Sequence, residues 1–597
     1  MGVQKGMFGL GWCLLVIFSV VTLVAYALEL EQVSFQLPAA KNAFPDLYEA
    51  SISELQAGLQ NGDFSSVDLV EAYLARIEEV NLEGPALRAV LETNPCSLQQ
   101  ATALDDERRT SGSRGPLHGI PILLKDNIAT LHSEGMNTTA GSYALLHSVV
   151  PRDAHVSAKL RAAGAILLGK ASLSEWAHAR GTMPSGFSGR IGQGSSPYVP
   201  LGDPCGSSSG SGAATAIGLA AASLGTETHG SIMCPSSFNN LVGVKPTVGL
   251  TSRDGVIPIS EHQDSVGPMT RSVADAAVVL SIIAGPDQRD NYTLAQPPVV
   301  PDYTKALNAN ALRGVRLGVP RQLFRVNASG FPVLDEHEIA AFNASLDTLR
   351  ALGVTVVDPA DFVNHEELVA SKNETAVMSV DLKYGLNRYI SELVDVPTGV
   401  KDLAGLIAFN EAHADLELVE PYWTDQSTFI RARNSSADQA YFDAVVVNKE
   451  LGGKYGIDAT LQKYDLDALL LPTLASIMPA AIAGYPLVTG ECLPALSCMF
   501  LLSADPDPCA AAVPLGFLPP DTPLAPAEPT RKRGPNQPFG LAFMGTAWSE
   551  FQLISYAYAY ERATHTRLKV RAYPEAIPTT QLDDVQVQRR ARNDGMH

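Results

Sequence analysis

Several common sources of catalytic power leave no trace in this sequence. No HExxH or CxxC pair offers a zinc site, no GxxxxGK[ST] phosphate loop occurs, and no GxGxxG stands between strand and helix to receive a dinucleotide. Metal and nucleotide chemistry therefore have no support in the sequence. Basic residues are scarce: 43 Lys and Arg face 63 Asp and Glu, for a net charge of −20. Phosphate backbones repel such a chain, so nucleic acid is not an expected partner. Charged residues make up only 18% of the 597 positions and hydrophobic residues 46%. Disorder is thereby excluded, and a large core is within reach. Seven cysteines are too few for a disulfide-stapled miniprotein of this length, yet leave room for a few bridges. No internal repeat is evident.

Charge is missing altogether between Lys5 and Glu29. A basic start precedes the apolar run Cys13-Leu14-Leu15-Val16-Ile17-Phe18, and Ala25-Tyr26-Ala27 puts small residues at −3 and −1 of a cleavage point. This order reads as a secretory signal peptide, residues 1–27, ahead of a mature domain, residues 28–597, that is secreted. The alternative is an uncleaved membrane anchor through residues 7–27, since 23 uncharged residues can just span a bilayer. Export predicts glycosylation acceptors, and Asn-x-Ser/Thr occurs at Asn137, Asn291, Asn327, Asn343, Asn373 and Asn434. Cleavage leaves six cysteines. Of these, Cys492, Cys498 and Cys509 lie close together in a loop-like region, where a bridge is expected; spacing does not fix the pairing.

Further along, Ile52, Leu55 and Leu59 repeat at helical spacing, and a second helix begins after Ser65, which with Asp68 approaches a capping box. Strands are predicted at Ala86–Leu91, Ile120–Lys125, Ala165–Lys170, Val315–Pro320 and Asp467–Thr473, and a small-residue helix at Ala213–Leu224. Residues 290–460 form a polar, helix-rich middle segment. Residues 489–537, rich in Pro and holding three cysteines, read as a surface excursion, and Phe551–Thr564 as a closing helix. Alternating helices and apolar strands argue for an α/β core.

Chemistry concentrates in three places. Lys125 ends an apolar strand, Ser207 and Ser208 lie in Cys205-Gly206-Ser207-Ser208-Ser209-Gly210, and Ser231 lies in Gly225-Thr226-Glu227-Thr228-His229-Gly230-Ser231. A serine hydroxyl attacks only when a base takes its proton. A lysine becomes such a base when burial strips its charge. Glycines around Ser231 let consecutive N–H groups converge on one spot, the requirement for an oxyanion hole. Taken singly, a lysine after a strand is ordinarily solvated, and a Gly/Ser run ordinarily a loop. Gly206-Ser207-Ser208-Ser209-Gly210 also fits the GxSxG elbow of α/β-hydrolases, but a proline-broken loop precedes it where that motif needs a strand.

Ordered along one chain, these pieces resemble the amidase signature family, most closely its peptide amidase and fungal amidase branch. The match runs from about Ser51 to Gly285 and again from Asp467 to Thr564. It includes Gly119–Asn127, Leu168–Trp176, both serine motifs, Val244–Leu250, Asp264–Arg271 and Pro538–Leu541. The resemblance implies a single large α/β/α domain around a mixed β-sheet and a Ser–cis-Ser–Lys triad. Ser231 is the implied nucleophile, Ser207 the bridging serine on a cis peptide bond and Lys125 the neutral base. Backbone N–H groups of Thr228, His229, Gly230 and Ser231 would form the oxyanion hole, with Ser208 supporting the network. The implied substrate is a small amide or peptide amide, with no metal or organic cofactor and no obligate protein partner; oligomeric state is not legible.

Glu227 stands where many members carry Asp, Met233 where many carry Arg, and His229 where the peptide amidase branch tends to carry Asp. None of these changes removes a triad member. The His229 side chain either faces substrate or packs on the loop. Rival functions are a membrane-anchored lipid amidase, the amide-hydrolysing component of a tRNA-dependent amidotransferase, and a silent binding protein on the same fold. The signal peptide and sequons oppose the amidotransferase, and the intact triad opposes the silent protein.

Overall fold

Runs of Val, Ile and Leu without polar alternation are stable as strands only where both faces are covered. A computed structural model describes residues 44–325, 334–490 and 514–594 and shows how this chain covers them. The strands are β1 (Val90–Thr93), β2 (Pro121–Lys125), β3 (Ile166–Ala171), β4 (Phe187–Ser188), β5 (Gly192–Gln193), β6 (Ala222–Glu227) and β7 (Val242–Lys245). They continue with β8 (Ser265–Thr270), β9 (Arg316–Gly318), β10 (Thr355–Val357), β11 (Ala468–Pro472), β12 (Leu487–Gly490), β13 (Pro514–Phe517) and β14 (Pro538–Met544). Apart from the small β4–β5 ladder they form one mixed sheet in the order β1-β3-β2-β6-β8-β7-β12-β14-β11-β9-β10, with β13 also paired to β14. Helices cover both faces. Every residue of β2, β3, β6 and β11 is buried.

Within the sheet, β2 is parallel to both β3 and β6. Parallel neighbours end on the same edge, so the carboxyl end of β2 at Lys125 lies beside that of β6 at Thr226–Glu227. Crevices at the carboxyl ends of such strands are where open α/β sheets place their chemistry. The mixed sheet, with helices on both sides, is the architecture the sequence predicts.

The helix signals near the start hold to the atom. Helices run over Ile52–Asn61 and Ser66–Val80, and Ser65 and Asp68 exchange both bonds of a capping box. The middle segment is helix-rich, and its Asn373–Glu392 helix buries Leu382 and Leu386 in a second apolar core with Trp176, Leu406 and Phe429.

Three expectations need correction. The predicted helix over Ala213–Leu224 is a Ser209–Ala216 helix followed by strand β6. The chain leaves the helix through Gly218 at φ +68°, where a Cβ would sit 2.0 Å from the carbonyl oxygen of Leu47. Small apolar residues suit a buried helix and a buried strand equally, and the glycine decides. Residues 489–537 are not wholly a surface excursion, because β13 joins the sheet and buries Leu515. The Glu550–Thr564 helix is not the last element; a helix over Leu582–Asp594 follows.

The expected signal peptide, the three clustered cysteines and Asn327 lie outside the described residues. Among the described residues no helix is long and apolar enough to cross a membrane. The other sequons differ in access: Asn291, Asn343 and Asn434 are exposed, whereas Asn373 is half-buried. Asn137 donates through Nδ2 to Glu92 and accepts from the N–H of His147.

Candidate active site

Lys125 is the last residue of β2 and has no solvent exposure. Its Nζ donates to Ser207 Oγ at 2.8 Å and to the carbonyl oxygen of Thr226 on β6 at 3.0 Å. Burial drives its pKa down to about 7 against the opposing pull of Glu227 and Asp264, so a large fraction is neutral near neutrality. A neutral amine with a hydroxyl at hydrogen-bond distance can accept a proton from it.

Ser207 precedes the Ser209–Ala216 helix, and the Gly206–Ser207 peptide bond is cis. Its carbonyl accepts from the N–H of Ser174 at 2.9 Å. Gly206 is required by close approach: a Cβ there would stand 2.4 Å from Ser174 Oγ. Ser208 fastens this turn to the neighbouring strand. Its Oγ donates to the Thr226 carbonyl at 3.2 Å and accepts from the Thr226 N–H at 3.3 Å, while its own N–H donates to the Ser231 carbonyl at 3.1 Å. Asn127 Nδ2 adds a bond to Thr226 Oγ1 at 3.0 Å.

Ser231 ends the turn that leaves β6. The turn is closed by Glu227, whose buried Oε2 accepts from the N–H groups of Ile232 at 2.6 Å and Met233 at 2.9 Å. Glu227 so reaches across the four residues expected to supply the oxyanion hole and also caps the Met233–Phe238 helix. Gly230 turns the chain at φ +83° with Ile477 packed close beneath. Thr228 Oγ1 donates to Asp264 Oδ1 at 2.5 Å. Asp264 also accepts from the N–H groups of Ile259 and Ser260, and burial raises its pKa to about 6. Of the three triad candidates, Ser231 alone keeps an opening, with 8% exposure against none for Lys125 and Ser207. The residues singled out in the sequence therefore converge: Lys125 and Ser207 touch directly, and Ser231 joins them through the Ser208 bond.

Two features were missed in the sequence. Cys205 and Cys234 form a disulfide with Cα atoms 5.8 Å apart. One lies two residues before Ser207 and the other three after Ser231, so the bridge ties the two serine turns together. Their place inside both serine motifs was the available signal. The second is a contact from the middle segment: Glu374 Oε1 lies 2.8 Å from His229 Nδ1. Nothing in the local sequence announces it. Elsewhere, Glu261, His262 and Asp381 bring metal-ligand atoms near one another, but Asp381 already accepts from Ser260 and Tyr441 and pairs with His262.

Known proteins resemble this chain over most of its length. Residues 68–554 match the family model described as Amidase. A protein of Arthroderma benhamiae assigned as an amidase is 38% identical over 552 residues, covering 89% of this chain and 88% of its own. A glutamyl-tRNA(Gln) amidotransferase component of Acinetobacter baumannii is 31% identical, over 89% of this chain and 99% of its own. The crystal structure of native peptide amidase from Stenotrophomonas maltophilia superimposes with a TM-score of 0.74 at 40% identity, covering 90% of this chain and all of that one. The chain thus belongs to the amidase family and is a hydrolase of amide carbon–nitrogen bonds.

Proposed function

We propose that this chain is an exported serine amidase that cleaves small carboxamides or peptide amides through an acyl-enzyme. The observation that carries the reading is the buried Lys125, near pKa 7, within hydrogen-bond distance of Ser207 Oγ. Ser231 Oγ attacks the substrate carbonyl carbon while its proton passes to Ser207 and the Ser207 proton to Lys125. The oxyanion that forms is received by backbone N–H groups of Thr228, His229, Gly230 and Ser231. As the carbon–nitrogen bond breaks, Lys125 returns the proton through Ser207 to the leaving amine or ammonia. Water then attacks the acyl-enzyme by the same relay, releasing the carboxylic acid and restoring Ser231.

Peptide amides are the favoured substrate class because of the likeness to the Stenotrophomonas peptide amidase. Export is supported by the charge-free N-terminal stretch, by exposed acceptors at Asn291, Asn343 and Asn434, and by the Cys205–Cys234 bridge, since disulfides persist in oxidising compartments. Retention of residues 7–27 would instead make the enzyme membrane-anchored and open the way to lipid amides.

The test is mass spectrometry of the secreted protein after reaction with a fluorophosphonate probe. Label on Ser231, an N-terminus at Leu28, and turnover abolished in Ser231→Ala and Lys125→Ala are expected. Substantial activity in either variant removes its assigned role, and an intact segment 7–27 replaces the cleaved, secreted enzyme with the membrane-anchored alternative.

A further inference from the structure

His229 lies in the turn between β6 and Ser231, and its side chain is held by partners from outside that turn. Glu374, in the first turn of the Asn373–Glu392 helix, places Oε1 2.8 Å from His229 Nδ1. The same oxygen accepts from Nε2 of the buried Gln263 at 2.8 Å, and that Nε2 also reaches the Thr228 carbonyl at 3.4 Å. The side chains of His229 and Glu374 are 24% and 22% exposed, so their attraction is only partly screened by water.

Glu374 is itself anchored. Seven residues along the helix, on the same face, Asp381 accepts from Ser260 Oγ at 2.6 Å and pairs with His262 Nδ1 at 2.8 Å. Ser260, His262, Gln263 and Asp264 come from one short segment leading into β8. That segment thus grips the helix at Asp381 and Glu374 and the turn at Thr228. The expected oxyanion turn is thus braced against the middle segment directly through the His229 imidazole and indirectly through Gln263, which bonds both Glu374 and the Thr228 carbonyl.

We propose that His229, clamped by Glu374, whose carboxylate Gln263 holds in place, is a positioning residue that holds the Thr228–Ser231 turn in its reactive geometry while the imidazole is protonated, and so sets an alkaline limit on acyl transfer. This rests on the reading of Ser231 as nucleophile given above. Among the described residues, the charged groups that act on the imidazole are Glu374 from the helix and Glu227 from the end of β6, and Asp264 bonds the neighbouring Thr228. Burial pushes the imidazole pKa down, but the charge and hydrogen bond of Glu374, with a contribution from Glu227, hold it above the ordinary value. Glu374 is disfavoured as an anion by burial, yet His229 and Gln263 hold its carboxyl below the ordinary range. The pair therefore keeps its charge to a higher pH than an ordinary imidazole would allow. It loses its attraction as pH rises past the imidazole pKa, whereas Lys125 becomes competent as pH rises through about 7. A bell-shaped dependence follows, with Lys125 on the acid side and His229 on the alkaline side.

The experiment is the rate of Ser231 labelling by a fluorophosphonate probe against pH, in wild type and in Glu374→Gln. Glutamine keeps the shape of the clamp and removes its charge. The alkaline limb is expected to move down by about one to three pH units, the effect of losing one close opposite charge, while the acid limb stays in place. Label on Ser231 with an alkaline limb that Glu374→Gln does not move overturns this inference and leaves the proposed function standing. No label on wild-type Ser231 overturns both. Should Glu374→Gln fail to fold, histidine NMR of Ser231→Ala decides: a His229 midpoint above that of ordinary imidazole supports the clamp, and one at or below it refutes the clamp.

Discussion

Replacing Lys125 with Met should make the protein more resistant to acid while abolishing turnover. Lysine in an unfolded chain titrates near roughly 10.4, whereas in the fold Lys125 does so at about 7. Between those values the unfolded chain holds a proton that the folded site does not. Acidification through this window therefore favours unfolding: the contribution of Lys125 to stability is greatest above the unfolded value and is lost as pH falls toward the folded one. At about 1.4 kcal/mol per pH unit the loss amounts to about 5 kcal/mol across the window. With an unfolding entropy of about 2.1 cal/mol/K per residue, a chain of 597 residues converts that into about 4 °C. Methionine fills similar space and does not titrate. Its own cost, the lost donor to Ser207 Oγ and the Thr226 carbonyl, does not depend on pH, and Thr226 keeps its bond from Ser208. The assay is thermal unfolding of both proteins at pH values from 6 to 10.5. The gap between variant and wild type should widen by about 4 °C in favour of the variant as pH falls from the top of this range to 7, and stay level below. A gap that does not change with pH would refute the buried neutral lysine, and with it the base assigned to the reaction.

Two further outcomes can be read from the site. Replacing Cys205 and Cys234 together with Ala opens a crosslink spanning 29 residues, worth about 3.6 kcal/mol by loop-closure entropy or about 3 °C in melting temperature. Two titratable thiols at these positions in the native, unreduced protein would show that the bridge does not form. Gly230→Ala should reduce probe labelling by at least about tenfold, because alanine is strained at φ +83° and its methyl would meet Ile477 Cδ1 at 2.9 Å; an unchanged labelling rate would mean that this turn is not part of the reactive geometry.

Much of the fold was legible because its signals are local. Ser65 and Asp68 sit at the spacing of a capping box, and both bonds form. The apolar runs at Ile120–Lys125 and Asp467–Thr473 lack polar alternation, and both strands are buried on two sides. The boundary of β6 was not legible: Ala and Gly carry too little shape to separate helix from strand, and the φ of Gly218 depends on the backbone of Leu47 across the molecule. Nor could composition distinguish a surface loop from β13, since that short strand is defined by its pairing with β14.

By itself the sequence determined the reactive inventory: a lysine ending an apolar strand, two serine-bearing turns among glycines, and the order that ties them to the amidases. Residue type sets what a group can do, and periodicity sets which face it occupies, so both can be read along the chain. Which groups meet was decided only by the tertiary structure. Lys125 reaches Ser207 across 82 positions because β2 and β6 end side by side and Ser208 fastens the Ser207 turn to β6, and Glu374 reaches His229 across 145 because a helix of the middle segment is pinned over the Thr228–Ser231 turn. Strand order, helix docking and the Cys205–Cys234 bridge arise from global packing, and no local pattern encodes them.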